Sequence, residues 1–125
     1  MIYTKLKEYT KVLLLVTFKN LDKDGDGKID HAIVEMRNDI GTGSATVKEI
    51  MIDGVAVPPE KITLTIGNRP PRSFDPASEI YSEYGDTILF EMQKEGGLTP
   101  GEHSLGLRAS LGWREQTVTL KGNLV

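Results

Sequence analysis

The sequence predicts an all-β domain, an immunoglobulin-like or Greek-key β-sandwich of about seven to nine antiparallel strands. Three observations carry this expectation. From Lys11 onward the apolar residues recur with period two more often than 3.6, the spacing at which side chains alternate between the two faces of a strand. Gly, Pro, Asn and Asp interrupt the pattern at roughly the 8–12-residue intervals of a sandwich. No stretch beyond residue 20 holds a helical stripe without an internal Gly or Pro, so the crossover helices that a parallel sheet requires are not expected.

The strands follow in order. Residues 12–16, Val-Leu-Leu-Leu-Val, with Phe18 form a short, continuously apolar run, as expected of a strand buried on both faces or lying beneath another element. The alternative is a helix over residues 2–16 with Leu6, Tyr9, Leu13 and Val16 on one face. Ala32, Val34 and Met36 then oppose His31, Glu35 and Arg37. Val47, Ile50 and Ile52 form the next run, and their change of phase predicts a β-bulge near Lys48 and Glu49. Ile62, Leu64 and Ile66 alternate with Thr63 and Thr65 in the clearest strand of the chain. Ile88, Phe90 and Met92 make another, followed by Leu105, Leu107, Ala109 and Leu111, and by Val118 and Leu120. Trp113 is expected to cap one end of the core at the last hairpin. Gly and Pro pairs such as Pro58-Pro59, Pro70-Pro71 and Gly96-Gly97 mark connectors. With no internal repeat and no shift in composition, residues 1–125 read as one domain, with 1–16 as an amino-terminal strand or arm.

Composition narrows the classes of function. The 125 residues are 38% hydrophobic, enough to fill one core without disulfides. Cysteine is absent, which excludes thiol nucleophiles and Cys-ligated zinc or iron–sulfur sites. A net charge of −3 gives no broad attraction to nucleic acid or anionic lipid. The longest apolar run is far shorter than the ~20 residues that cross a bilayer, so no membrane-spanning segment is expected.

One motif has a specific chemistry. Asp22, Asp24, Asp26, Gly27, Lys28 and Asp30 place carboxylates at positions 1, 3, 5 and 9 of a loop, a glycine at 6 and a backbone carbonyl at 7. That is the arrangement with which calcium loops surround a hard cation with oxygens. Position 12 is Ile33 in place of a bidentate Glu, and the flanks read as strands, so the motif departs from an EF-hand. Calcium is therefore the one cofactor provided for, with Asp22, Asp24, Asp26, Asp30 and the Lys28 carbonyl as ligands and weak affinity expected. The competing reading is a polar hairpin in which Asp and Gly supply turn conformations.

The remaining polar residues point away from catalysis. His31 and His103 stand alone in the sequence and are expected to be solvated. No serine lies in a nucleophile elbow. Residues 41–44, Gly-Thr-Gly-Ser, lack the Lys of a phosphate loop, and no two glutamates are spaced as an acid–base pair. The sequence therefore predicts a protein without an active site of its own. Arg69, Arg72, Phe74, Tyr81 and Tyr84 are candidates for a loop-borne interaction surface, because Arg and Tyr are favoured in recognition; packing of loops and edges is the alternative.

Two stretches carry resemblances to known families. Residues 34–38, Val-Glu-Met-Arg-Asn, and 41–47, Gly-Thr-Gly-Ser-Ala-Thr-Val, followed by Ile-Met-Ile-Asp-Gly at 50–54, resemble the head domains of archaeal pilins and flagellin-like surface proteins. Leu98-Thr-Pro-Gly-Glu102 and Leu111-Gly-Trp113 resemble the closing hairpin of those heads. This likeness implies a structural or adhesive module at a cell surface or outside the cell, assembling with protein partners or with itself through sheet edges. It departs from the pilins at residues 1–16, which are too polar and short for their polymerising helix.

Residues 61–66, Lys-Ile-Thr-Leu-Thr-Ile, and 94–103, Lys-Glu-Gly-Gly-Leu-Thr-Pro-Gly-Glu-His, are in turn similar to the small β subunit of bacterial C-glycoside deglycosidases. That second likeness implies a non-catalytic, cytoplasmic sandwich whose larger partner subunit carries the metal and the catalytic histidine.

Overall fold

Residues with period-two alternation pair into ten strands in the computed structural model, which describes residues 16–111 and 114–125. These are β1 (Val16–Leu21), β2 (His31–Arg37), β3 (Gly43–Ile52), β4 (Val55–Ala56), β5 (Ile62–Ile66), β6 (Arg72–Ser73), β7 (Glu79–Ser82), β8 (Thr87–Gln93), β9 (Glu102–Leu111) and β10 (Arg114–Asn123). One 3₁₀ turn, Pro59–Lys61, precedes β5, and among the described residues no helix is long and apolar enough to cross a membrane. Ten exceeds the seven to nine strands expected because β4 and β6 are two residues each, too short to carry a period.

The first sheet runs β1-β2-β8-β5-β6, and the second runs β10-β9-β3-β4 with β7 also on β3. All strand pairs in both sheets are antiparallel. The chain passes repeatedly from one sheet to the other, so β8 lies between β2 and β5. This is the predicted all-β sandwich. The predicted bulge is there too: the register of β3 against β9 shifts between Val47 and Glu49, which returns Ile50 to the core.

The core forms where the inner faces meet. Phe18, Val34, Leu64 and Met92 from the first sheet and Ile50 and Leu105 from the second are almost completely buried, each side chain worth roughly 1.5–3 kcal/mol of transfer free energy. Phe74 joins this core at 6% exposure. Its position after a proline-rich loop made it a candidate for an interaction surface, but the backbone N–H of Phe74 donates to the Ile62 carbonyl and holds the ring inward. The expectations for residues 1–15 and for Trp113 lie outside the described residues.

Along one side the two sheets approach until their backbones touch. Leu124 bridges Phe18 in parallel, and the Val125 N–H donates to the Phe18 carbonyl at 2.8 Å. A Cβ on Gly122 would fall on the Val16 carbonyl and press against the Phe18 ring. Backbone cannot yield as a flexible side chain does, so glycine is required there. Gly122→Ala is expected to cost about 3 kcal/mol, at the upper end of overpacking. Gly43→Ala, with nothing within 4 Å of the new methyl, is expected to stay within about 0.5 kcal/mol; urea denaturation of the two variants checks this contrast.

Candidate functional site

The β1–β2 hairpin brings the four predicted aspartates together. Ligand atoms from Asp22, Asp24, Asp26 and Asp30 all lie within 4.8 Å of one another. The backbone explains why. Gly25 and Gly27 take positive φ, 75° and 87°, a region open to glycine without strain, and the chain curls around the carboxylates. Asp22 accepts the N–H groups of Gly25 and Gly27 at 2.9 and 2.7 Å. Asp24 accepts that of Asp26 and Asp26 that of Lys28. Asp30 closes the loop by accepting the Lys23 N–H at 2.9 Å. A carboxylate offers about four lone-pair sites, so each retains capacity for a cation. Lys28 enters this network through its backbone.

The charges within the loop are unequal. The Asp26 N–H draws the Asp24 carboxyl down, but partial desolvation and the adjoining Asp22 and Asp26 carboxylates outweigh it, and its pKa is raised above the usual 3.8. Asp30 is held down to about 2 by His31 and by the Lys23 N–H; His31 Nδ1 stands 2.7 Å from its Oδ1. Asp30 thus stays ionised while Asp24 bears the like-charge crowding. The loop is anchored from below. Asn20 donates to the Leu98 carbonyl and accepts the Leu98 N–H, and the Lys94 and Gly96 N–H groups donate to the carbonyls of Asp30 and Ile29. A cleft of about 500 Å³ opens alongside, with Lys23, Lys61 and Lys94 on its walls.

At the opposite end of β2, the predicted interaction residues divide. Arg69 lies over the Tyr81 ring at 5.5 Å and pairs with Asp86 at 3.1 Å. Arg72 reaches the Glu79 carbonyl at 3.4 Å. Tyr81 and Tyr84 are exposed and, as found above, Phe74 is not. Asn38, not singled out from the sequence, organises this end. Its Nδ2 donates to Gly41 O, Ser82 Oγ and Glu83 O, and its Oδ1 accepts the Ile40 and Gly41 N–H groups. Ile40 and Tyr84 stand exposed on the two loops it joins.

His103 is the second residue that sequence reading misplaced. It was expected to be solvated, yet it is 7% exposed, with Nδ1 2.7 Å from Asp53 Oδ2 and Nε2 2.7 Å from the Thr99 carbonyl oxygen. With Nε2 committed to a carbonyl, this Asp–His pair presents no lone pair with which to activate a serine.

Fold and loop together define the class: an antiparallel β-sandwich domain with an acidic hairpin loop whose carboxylates are gathered closely enough to hold a metal ion. No protein-family model matches the chain, and no curated protein sequence matches it. Among solved structures, the N-terminal domain of PorA aligns over 90% of this chain and 87% of its own, at 10% identity and a TM-score of 0.42. A family 123 glycoside hydrolase from Clostridium perfringens aligns over 76% of this chain at 7% identity and a TM-score of 0.32, and the alignment spans 20% of that chain. The fold assignment stands on the strand pairing described above, not on these likenesses.

The Asn38 network has a direct consequence for stability. Asn38→Ala strands two N–H donors and three acceptors in part-buried surroundings, and is expected to cost about 2–3 kcal/mol in denaturant unfolding. Thr42→Ala at the same loop end removes one exposed bond to Tyr84 N–H and should cost well under about 1 kcal/mol.

Proposed function

We propose that this chain is a non-catalytic structural or adhesive β-sandwich module of a cell-surface or extracellular, pilus-like protein, and that calcium stabilises it at the Asp22–Asp30 loop. The observation that carries the reading is the convergence of four aspartates on one hairpin, held by backbone N–H groups. In this account the ion neutralises the crowding felt by Asp24 and stiffens the hairpin that leads from β1 into β2. With Ile33 inside β2, no bidentate carboxylate stands at position 12. The affinity then belongs in the weak range of extracellular calcium modules, where millimolar calcium suffices. The resemblance of residues 28–121 to archaeal surface-protein heads fits the same role.

A second reading has one observation in its favour. Exposed Ile40 and Tyr84 on adjacent loops, with Tyr81 nearby on β7, offer an apolar contact such as a small β subunit of a two-component, C-glycoside deglycosidase-like enzyme would present to its larger partner. Light scattering on the purified chain separates the two: a stable monomer, or a self-assembling one, fits the surface module, and persistent aggregation without a partner fits the subunit.

Thermal melting tests the calcium site. Moving from excess chelator to calcium at about 100 times its dissociation constant adds roughly 2.7 kcal/mol, which for a domain of this size is a rise of several degrees. Asp24→Asn keeps a side-chain carbonyl for the Asp26 N–H but removes one charge. In chelator it should melt at or above the parent temperature, and with calcium it should lose the gain. No calcium-dependent rise in the parent chain defeats the metal reading.

A further inference from the structure

His103 occupies a position that a histidine holds only in one state of charge. Its Nε2 faces the Thr99 carbonyl oxygen, which can only accept, and its Nδ1 faces Asp53 Oδ2, both at 2.7 Å. Two acceptors require two N–H donors, which only the imidazolium has. The ring is 7% exposed and lies at a tilt of 58° to Phe18, centroids 5.7 Å apart. The charge is thus enclosed by an aromatic ring and answered by one carboxylate.

The groups that meet at His103 belong to separate segments. Asp53 sits in the β3–β4 turn at φ 52°. Its Oδ1 accepts the Ser104 N–H, and its own N–H donates to the Ser104 carbonyl. Thr99 belongs to the β8–β9 loop, whose Gly101 carbonyl accepts the Leu124 N–H beyond the end of β10. The turn, the loop and the chain end all meet at the start of β9. Among the described residues, the charged groups bearing on the pair are Asp53 itself and Lys94 of the β8–β9 loop, which acts on the Asp53 carboxylate. From β1 and β10 the neighbours are Phe18 and Gly122, without charge. On β9 the flanking charge is Glu102.

We propose that His103 is a proton-operated latch: as an imidazolium it ties the β8–β9 loop, together with the β3–β4 turn, to the β1–β10 seam, and on losing its Nε2 proton as pH rises it lets the loop part while the turn stays bound. The neutral ring keeps one N–H, which the Asp53 carboxylate retains at Nδ1, so the lone pair falls at Nε2 against the Thr99 carbonyl oxygen and nothing joins the β8–β9 loop to the ring. The energetics agree in direction. The Thr99 carbonyl first, and Asp53 second, raise the imidazole above its ordinary 6.5 against the opposing effect of burial. Asp53 is lowered below 3.8, the bonds from His103 and Ser104 outweighing its desolvation. A group whose pKa rises on folding contributes fully below its unfolded value. The latch therefore holds below about pH 6.5 and weakens as pH climbs through the folded-state value.

The test uses the full chain in excess chelator, so that the Asp-rich loop plays no part. The chain has two histidines, and His103→Gln identifies the imidazole ¹⁵N signals of His103 by their loss. The expected result is a His103 with both nitrogens protonated at pH 6 and a titration midpoint above 6.5. Amide exchange protection at Leu124, whose N–H donates to the Gly101 carbonyl of the loop, should fall at least tenfold through that midpoint once corrected for intrinsic rate, while that at Ser104, held by Asp53, should change less. Asp53→Asn, which tolerates the positive φ, should move the midpoint down and protects the experiment should the Gln variant fail to fold. A midpoint at or below 6.5, a singly protonated ring at pH 6, or protection unchanged across the midpoint would each overturn the latch.

Discussion

Along one side of the core the two sheets meet through a contact between bare backbones. Gly122 of β10 passes so close to the Val16 carbonyl of β1 that no side chain fits between them. Beside this approach Phe18 lies fully buried, in the same apolar cluster as Leu105 and Leu120. It also places the chain end where Val125 can reach the Phe18 carbonyl. Much of the architecture follows from that seam: the orientation of β1 fixes where its hairpin projects, and the hairpin carries the aspartates. His103 is the register partner of Gly122 in the β9–β10 ladder, so the buried imidazole belongs to the same seam.

The two ends of the sandwich are organised by different means. At the β1–β2 end, carboxylates gather the backbone around themselves through N–H donors, a structure that concentrates negative charge. At the Asn38 end, a neutral amide makes the same kind of local bonds in both directions and leaves no charge to answer. Similar backbone needs are met by side chains of different electrostatic character. Only the first arrangement concentrates like charges.

Legibility in the sequence followed the range of the interactions. Strands such as β5 and β8 were readable because alternation is a property of five to seven consecutive residues. The bulge in β3 was readable because it shifts the phase of Val47 against Ile50. The aspartate cluster was readable because its members lie within nine positions and one hairpin. By contrast, β4 and β6 exist only through their partners. Phe74 follows a Pro-Pro loop that looks exposed, and it is buried where its backbone N–H meets the Ile62 carbonyl at the start of β5. Asn38 and His103 were missed in their long-range part: beside local bonds to Ile40, Gly41 and Thr99, their partners Ser82 and Asp53 lie 44 and 50 positions away. A lone polar residue beside a glycine turn was the faint signal available for Asn38. For His103, the Asp-Gly turn at 53–54 offered one only after the strands around it were aligned.

The order in which the chain visits the two sheets has a consequence in time. After β1 and β2 the path enters the second sheet, returns, and crosses again, so β8 can take its place beside β2 only when His31 finds Gln93. Loop closure of that length must precede any reward from the ladder. The hairpins β1–β2 and β9–β10 are local and can form early. The central strand of the first sheet cannot, and until it arrives β2 and β5 each present an unpaired edge. Folding on the millisecond-to-second scale of sandwiches, with edge strands exposed in the interval, is the kinetic character that this topology imposes.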